Sequence, residues 1–413
     1  MKEKRLSIIA DDLTGAMDSS GYFATRGLNT MVVMDQNPSR VAEVIVFSTD
    51  SRGDDPDTAL KKVKELASGL KDDIVYKKID STLRGNISIE LMAMMDSLAS
   101  EKVIVAPAFP AVGRTTVDGM LLVNNTPVSK TEFANDPICP VTESYVPRML
   151  GQSINHPIGT VSLKSINAGA ESLYHEFANR SERVLVCDAV EQSHLHTIAC
   201  ASAMAERNWL LCGSAGLARE LCNLPDKKAK ARSLKVSSRP EGAALLVVGS
   251  RHQVSATQLR KAQNELGVPI LELKIGLPTD SETNATEMDH TLLEARALLR
   301  QGKTVAVTST FSQYVPALNR AVAGMLAELV ADILSIQDIA GLFLCGGDTA
   351  LELCRRLRIG AIQVQGEVET GVPAGKFSDS RGNYTRVVTK AGGFGSEDAI
   401  IKAVSYLERG YLL

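Results

Sequence analysis

The chain lacks any excess of charge of one sign. Its 45 Lys and Arg stand against 48 Asp and Glu, a formal net charge of -3 over 413 residues. No general field therefore draws it to nucleic acid or to an anionic membrane, and any anion it binds must be held by a local site. Paired cysteines are missing as well. The seven, Cys139, Cys187, Cys200, Cys212, Cys222, Cys345 and Cys354, are odd in number and scattered, with no C-x-x-C. That excludes a disulfide framework and a zinc knuckle, and the compartment expected is the reducing cytoplasm. No apolar run approaches bilayer length, and "MKEKRLSII" passes from charged residues straight into a strand, so neither signal peptide nor membrane span is expected.

What is present is ordinary for a globular protein, 44% hydrophobic and 23% charged residues, in a chain too long for one typical core. "LSIIADDLTGAMDSSGYFATRG" opens with an apolar run of strand length and continues with a helical pattern, Ala16, Tyr22, Phe23 and Leu28 on one face. From Asp72 on, short β-branched runs alternate with helical patterns: "DIVYKKID", "SIELMAMMDSLAS", "KVIVAPAF", "RVLVCDAV", "WLLCGSAGLARELC". Such alternation predicts parallel sheets with crossover helices. It stops between Pro225 and Gly242, where Lys, Arg, Ser and Pro dominate, and restarts with "ALLVVGS", "TVAVTST", "GLFLCGGDT" and "RVVTKAGGFG". The expected architecture is two α/β domains, residues 1–228 and 229–413, with largely parallel sheets, an active-site cleft between them and a hinge in the linker.

Three segments of the second half share one form: a buried strand, glycine, then a hydroxyl or acidic residue opening a helix. They are "LLVVGSRHQVSATQ", with Ser250 and an S-x-x-Q capping box at Ser255 to Gln258; "LFLCGGDTALEL", with Gly346, Gly347, Asp348 and Thr349; and "VVTKAGGFGSED", with Gly392, Gly393 and Gly395. Glycine allows a tight turn and a close ligand, and a helix start offers free N–H groups, so each is an anion cradle or, alternatively, only a turn. Other fingerprints fail. "GKT" at Gly302 to Thr304 has Ala297 where a P-loop needs glycine, "GGFGSE" has Asp398 at the third dinucleotide glycine, and "ADDLT" has Ala10 where an aspartyl nucleophile would stand.

In the first half, polar groups follow three apolar runs: Asp11 and Asp12; Asp50, Ser51 and Arg52; and Lys77, Lys78, Asp80, Ser81, Thr82 and Arg84. In an open α/β sheet the strand ends meet the ligand crevice. Cations there suit a carboxylate, and Asp, Ser and Thr suit hydroxyls, so a small polyhydroxy acid fits. Plainer roles stay open: Ser81 as a helix cap, Arg84 as a surface charge, Asp50 as a turn former. Adjacent Asp11 and Asp12 would alternate faces in a strand, which makes Asp12, nearer the turn, the one facing the crevice. The loop with Pro107, Pro110, Gly113 and Arg114 reads as a wall rather than a second anion contact. His194 and His196 would lie about 200 degrees apart on a helix, which disfavours a metal site.

Taken in order, "IIADDLTGAMD", "KKIDSTLRGN", "VIVAPAFPAVGRTTVDG", "LFLCGGDTALEL", "GVPAGKF" and "TKAGGFGSED" resemble the four-carbon acid sugar kinase family, the D-threonate, D-erythronate and 3-oxo-tetronate kinases. The resemblance implies an N-terminal acid-sugar-binding domain and a C-terminal ATP-binding domain. It also implies transfer of the γ-phosphoryl to the terminal hydroxyl, giving the 4-phosphate. Carried over motif by motif, Asp12, Arg52 and Asp80-Ser81-Thr82 would hold substrate, while Ser250 or Ser255, Gly346 to Thr349, Gly392 and Gly393 would hold ATP. Chemistry adds Asp12 as the base, Arg52 with Arg84 or Lys78 as carboxylate clamps, and Mg²⁺ carried in on ATP, with Asp348 as its neighbour or only a helix cap. The oxo-acid branch tends to Phe in place of Leu13 and Lys in place of Arg84, so the chain leans to threonate or erythronate. A 3-oxo-tetronate kinase is the alternative within the family, and a non-catalytic small-acid sensor the alternative outside it. The stereoisomer and any homo-oligomer are left open.

Overall fold

The apolar run LSIIA forms strand β1 (Leu6–Ala10), buried along its whole length. A strand buried on both faces belongs in a parallel sheet covered by helices, and the sheet around it is of that kind. The computed structural model describes residues 5–34, 42–205, 208–224, 242–274, 281–310, 319–378 and 384–410. Most of the expected linker, residues 225–241, lies outside them. The chain divides into two compact units, Met1–Ser19 with Ser39–Lys230, and Ser20–Pro38 with Ala231–Leu413. No helix among the described residues is long and apolar enough to cross a membrane.

After β1 come α1 (Leu13–Thr25), β2 (Thr30–Val33), β3 (Val44–Ser48), α2 (Pro56–Ser68), β4 (Ile74–Lys78), α3 (Ile87–Leu98) and β5 (Lys102–Ala106). A small antiparallel meander follows, β6 (Arg114–Val117), β7 (Met120–Val123) and β8 (Thr126–Pro127), then α4 (Val146–Leu150) and β9 (Ile158–Val161). The first unit closes with α5 (Leu163–Asn167), α6 (Ala170–Asn179), β10 (Val184–Cys187), α7 (Gln192–Ala203), β11 (Trp209–Gly213) and α8 (Ala215–Leu221). Its sheet runs β3-β1-β4-β11-β5-β10-β9, every neighbour parallel. The chain leaves β1 toward the β3 flank and leaves β4 toward the β5 flank. The carboxyl ends of β1 and β4 thus border a topological switch point, where open α/β sheets hold ligands.

The second unit contains β12 (Ala244–Val248), α9 (Gln253–Leu266), β13 (Ile270–Glu272), α10 (Ser281–Arg300), β14 (Val305–Thr308), α11 (Asn319–Ile336) and β15 (Gly341–Cys345). Then come α12 (Gly347–Arg356), β16 (Ala361–Glu369), β17 (Val372–Ser378), β18 (Tyr384–Lys390) and α13 (Ala399–Arg409). Strands β13-β14-β12-β15-β18 are parallel, and β17, β16 and β2 extend the sheet antiparallel. Alternation alone does not reveal this hairpin extension, nor that Ser20–Pro38 belongs with the second unit, since β2 joins it by pairing with β16. On one face α9 and α13 pack over Leu246, Phe343 and Val388; α12 packs with α11. The exits of β12 and β15 lead toward opposite flanks of this sheet, so a second switch point lies between Gly249 and Gly346.

Candidate active site

In the first unit, Asp11 and Asp12 follow β1 and converge on one guanidinium. Arg52 Nε donates to Asp11 Oδ2 at 2.8 Å and Nη2 to Asp11 Oδ1 at 2.9 Å, while Nη1 and Nη2 each donate to an Asp12 oxygen at 2.8 Å. The expectation that only Asp12 faces this site is therefore corrected. β1 ends at Ala10, so the two aspartates are free of strand alternation and both turn to the same cation. Asp11 is buried, which by itself disfavours its charge, yet Arg52, helped by Lys77 and Lys78, holds its pKa below the usual value. Four of the five Arg52 donors are thus engaged, and one remains for a ligand.

The loop after β4 is built around Asp80. It accepts from the Thr82 hydroxyl, from Arg84 Nε at 2.9 Å and from Arg84 Nη2 at 3.2 Å, and Arg52 Nη2 stands 4.0 Å away. Burial would raise Asp80, but Arg84 and Arg52 outweigh it and hold the carboxyl well below its ordinary range. Arg84 also donates to Asp136 at 3.2 Å and lies 5.3 Å over the Phe133 ring, so it is no solvated surface charge. Nor is Ser81 a cap. It is buried, and the next helix starts six residues on, with Asn86 at its cap position. Lys78, 4% exposed, donates to Ile79 O at 3.0 Å and makes no ion pair among the described residues. Arg114 is half-buried within electrostatic range of Asp80 and Arg84, its Nε without a partner, so the loop expected to serve only as a wall also brings a cation.

Sequence reasoning passed over the support beneath this cluster. Lys77 and Glu90 form a buried ion pair, and Ser51 Oγ donates to Glu90. The signal was legible: Glu90 is the one ionisable residue in the first turns of the apolar helix "ISIELMAMM".

In the second unit the three glycine turns meet. Gly346, with φ of 115°, holds a conformation that side chains rarely adopt, and a Cβ there would stand 3.2 Å from Ser250 N. A Cβ on Gly392 would collide with the Ser250 hydroxyl, and one on Gly249 with Thr349 Oγ1. Ser250, Gly346 to Thr349, Gly392 and Gly393 are thus one surface at adjacent strand ends. It includes the start of α12, where Gly346 at the cap position offers no side-chain cap, and exposed Asp348 in that first turn.

Ser255 is corrected. It is fully buried inside α9, whose cap is His252, and its hydroxyl donates to Gly392 O at 2.7 Å. Gln258 bonds the carbonyls of Phe394, Gly395 and Ser396 instead of closing a capping box. The loop needs these donors because the carbonyls its turns point inward would otherwise be buried without partners. Lys390, 1% exposed, serves the same end, donating to Ala391, Gly392 and Phe394 carbonyls at 2.9, 3.0 and 3.1 Å. Burial lowers its pKa. A lysine ending the apolar strand "RVVTK" was the available clue.

His194 and His196 do not form a metal pair. His194 Nδ1 accepts from the Val190 and Glu191 N–H groups, and His196 pairs with Glu220 at 3.0 Å.

Comparison with known proteins places these two surfaces in named domains. Residues 6–221 match the model of a sugar-binding N-terminal domain and residues 245–400 that of a nucleotide-binding C-terminal domain. The chain is 32% identical to the D-threonate kinase of Salmonella typhimurium, over 98% of this chain and 99% of that one. It belongs to the four-carbon acid sugar kinase family. The D-erythronate kinase of Heliobacterium modesticaldum is 29% identical, with 97% of this chain and 96% of the relative covered. A 3-oxo-tetronate kinase of Pseudomonas fluorescens is 26% identical, covering 98% and 97%. Two crystal structures share the fold. One, from Salmonella typhimurium LT2, has a TM-score of 0.80 at 23% identity, covering 98% of this chain and 99% of that one. The other, Haemophilus influenzae protein HI1011, has a TM-score of 0.75 at 22% identity, covering 98% and 100%.

Proposed function

We propose that the protein transfers the γ-phosphoryl group of ATP to the terminal hydroxyl of D-threonate or D-erythronate. The observation that carries this is the pairing, in one family of kinases, of an Asp/Arg/Lys cluster in a sugar-binding domain with a glycine-lined helix start in a nucleotide-binding domain. Phosphoryl transfer asks the protein mainly for positioning and charge stabilisation.

In this reading Lys78, Arg84 and the remaining Arg52 donor hold the substrate carboxylate, and Asp80, Ser81 and Thr82 meet its hydroxyls. Asp12 takes the proton of the attacking hydroxyl, with Arg52 fixing its orientation. Gly347, Thr349, Gly392 and Gly393 receive the phosphates on backbone N–H groups; Ser250 and Gly346, whose own N–H groups go to the Cys345 and Lys390 carbonyls, contribute the Ser250 hydroxyl and an unobstructed approach at Gly346, with Ser255 shaping the turn from beneath. Among the described residues no three His, Cys, Asp or Glu side chains gather to hold a metal ion. A lone carboxylate is nevertheless the donor set that suits Mg²⁺ held chiefly by phosphate oxygens, and Asp348 would supply it. When bound, the ion would neutralise phosphate charge.

The test is a coupled ADP assay with Mg²⁺ across D- and L-threonate, D- and L-erythronate and the 3-oxo acid, compared by kcat/KM. The largest value is expected for D-threonate or D-erythronate. A preference for the oxo acid would move the protein to the other branch. Binding of these acids with no ADP release would instead support a non-catalytic sensor.

A further inference from the structure

Residues 131–141 lie far along the chain from the strand ends that build the substrate cluster, yet they touch both of its arginines. Asp136 Oδ2 accepts from Arg84 Nη1 at 3.2 Å, and the Phe133 ring centre lies 5.3 Å from Cζ of the same guanidinium. The Cys139 thiol donates to the Arg52 carbonyl at 3.1 Å. The Arg84 and Asp136 side chains are 28% and 19% exposed, so water screens their pair only in part. Neither Phe133 nor Asp136 has a role in the reading above.

The segment is stiff on its own account. Pro137 confines the residue before it to extended backbone, and Asp136 has φ of -58° and ψ of 127°. Asp136 Oδ1 accepts from Ile138 N at 3.0 Å and from Cys139 N at 2.8 Å, which fixes the carboxylate and leaves Oδ2 to Arg84. Val141 N closes the loop on the Phe133 carbonyl at 3.0 Å. The loop's own bonds thus hold Asp136 in place, and Arg84 is oriented to it.

On the other side Asp80 takes Nε and Nη2 of Arg84. A two-point contact of this kind still lets the guanidinium twist about the line joining the two groups. Asp136 on the third nitrogen and Phe133 on the ring face remove that freedom. Among the described residues three of the five Arg84 donors are then engaged, and the two left sit one on each terminal nitrogen, the pattern that meets both oxygens of a carboxylate.

We propose that Asp136, with Phe133, is a positioning residue for the acid end of the substrate: it locks the plane of Arg84 so that those two N–H groups receive the carboxylate as a pair. This rests on the reading of Arg84 as a substrate clamp. Rigid presentation lowers the ordering cost of binding for the bound acid and the transition state alike, so the effect falls on KM and not on kcat.

The experiment is the coupled ADP assay with D-threonate and with D-erythronate, giving kcat and both KM values, alongside the melting temperature. The proteins are wild type, Asp136→Asn, Phe133→Leu, Arg84→Gln and the Arg84→Gln/Asp136→Asn double variant. Asp136→Asn should raise KM for the acid roughly tenfold, as loss of one charge-assisted hydrogen bond allows. Its kcat and its KM for ATP should stay within about twofold of wild type. Phe133→Leu should move the same way by less. In the Arg84→Gln background Asp136→Asn should add less than about twofold, because a residue that acts through Arg84 has nothing left to orient.

An unchanged acid KM in Asp136→Asn overturns the proposal, as do losses that simply multiply in the double variant. A rise in both KM values together with a lower melting temperature also overturns it, since that is general loosening. Should Asp136→Asn not fold, Phe133→Leu decides by the same split, and an unchanged acid KM there overturns the proposal. If the wild type binds the acids but releases no ADP, the kinase reading fails by itself, and the same pattern is then sought in Kd by calorimetry. If it binds neither acid, the clamp reading of Arg84 and the proposal fall together.

Discussion

Lys77 Nζ lies 2.6 Å from Glu90 Oε2, with the two side chains 0% and 1% exposed. Burial opposes the lysine charge, but Glu90 and Asp11 outweigh it and hold its pKa above the ordinary value. A pair this deep stands directly behind the Asp11 and Arg52 contact, joined to that loop through Ser51. Removing one partner strands the other. Glu90→Gln should therefore lose about 3–5 kcal/mol in urea unfolding, whereas Lys77→Met with Glu90→Leu should recover most of it. If the pair also sets the position of Asp11, the double variant will be stable but slow. Equal stability losses in single and double variants would refute this.

Gly15→Ala separates folding from chemistry. Alanine favours a helix interior over glycine by about 1 kcal/mol, and the atoms a Cβ would meet are movable ends of side chains. The expected variant melts at or above wild type and is impaired in kcat, because Asp12 and Lys78 must both give way. Full activity would mean that their positions do not matter.

Asp80 governs an acid-sensitive part of the stability. Its depressed folded pKa means that the ionised form stabilises the protein above the ordinary carboxylate range, and that this is lost as pH falls through the lower, folded value. Asp80→Asn should thus be clearly less stable than wild type at about pH 7, with the difference shrinking toward about pH 3. Parallel unfolding curves at both pH values would contradict the assignment.

Lys390 supports the loop and touches no ligand in the proposed reading. Lys390→Met leaves the carbonyls of Ala391, Gly392 and Phe394 short of a donor, a cost of about 1–3 kcal/mol for each group left unsatisfied. Calorimetry should show ATP affinity falling at least roughly tenfold, as 1.4 kcal/mol corresponds to one decade, while affinity for the sugar acid is kept. Equal losses for both ligands would point to general unfolding.

The sequence by itself determined the two α/β units, because buried parallel strands are written as short continuous apolar runs: LSIIA, ALLVV and GLFLC each became a fully buried strand. It also marked the polar groups at strand ends and the glycine turns, since both are local features. Tertiary structure alone decided how those groups are used. Ser255 looked like a helix cap and became a buried prop for Gly392; Asp11 and Asp12 looked like opposite faces and share one arginine. The pairings of Lys77 with Glu90, Arg84 with Asp136 and β2 with β16 link positions far apart in the chain. No periodicity encodes such contacts. Burial sets which charges must find a partner, and only the packed fold sets which partner is within reach.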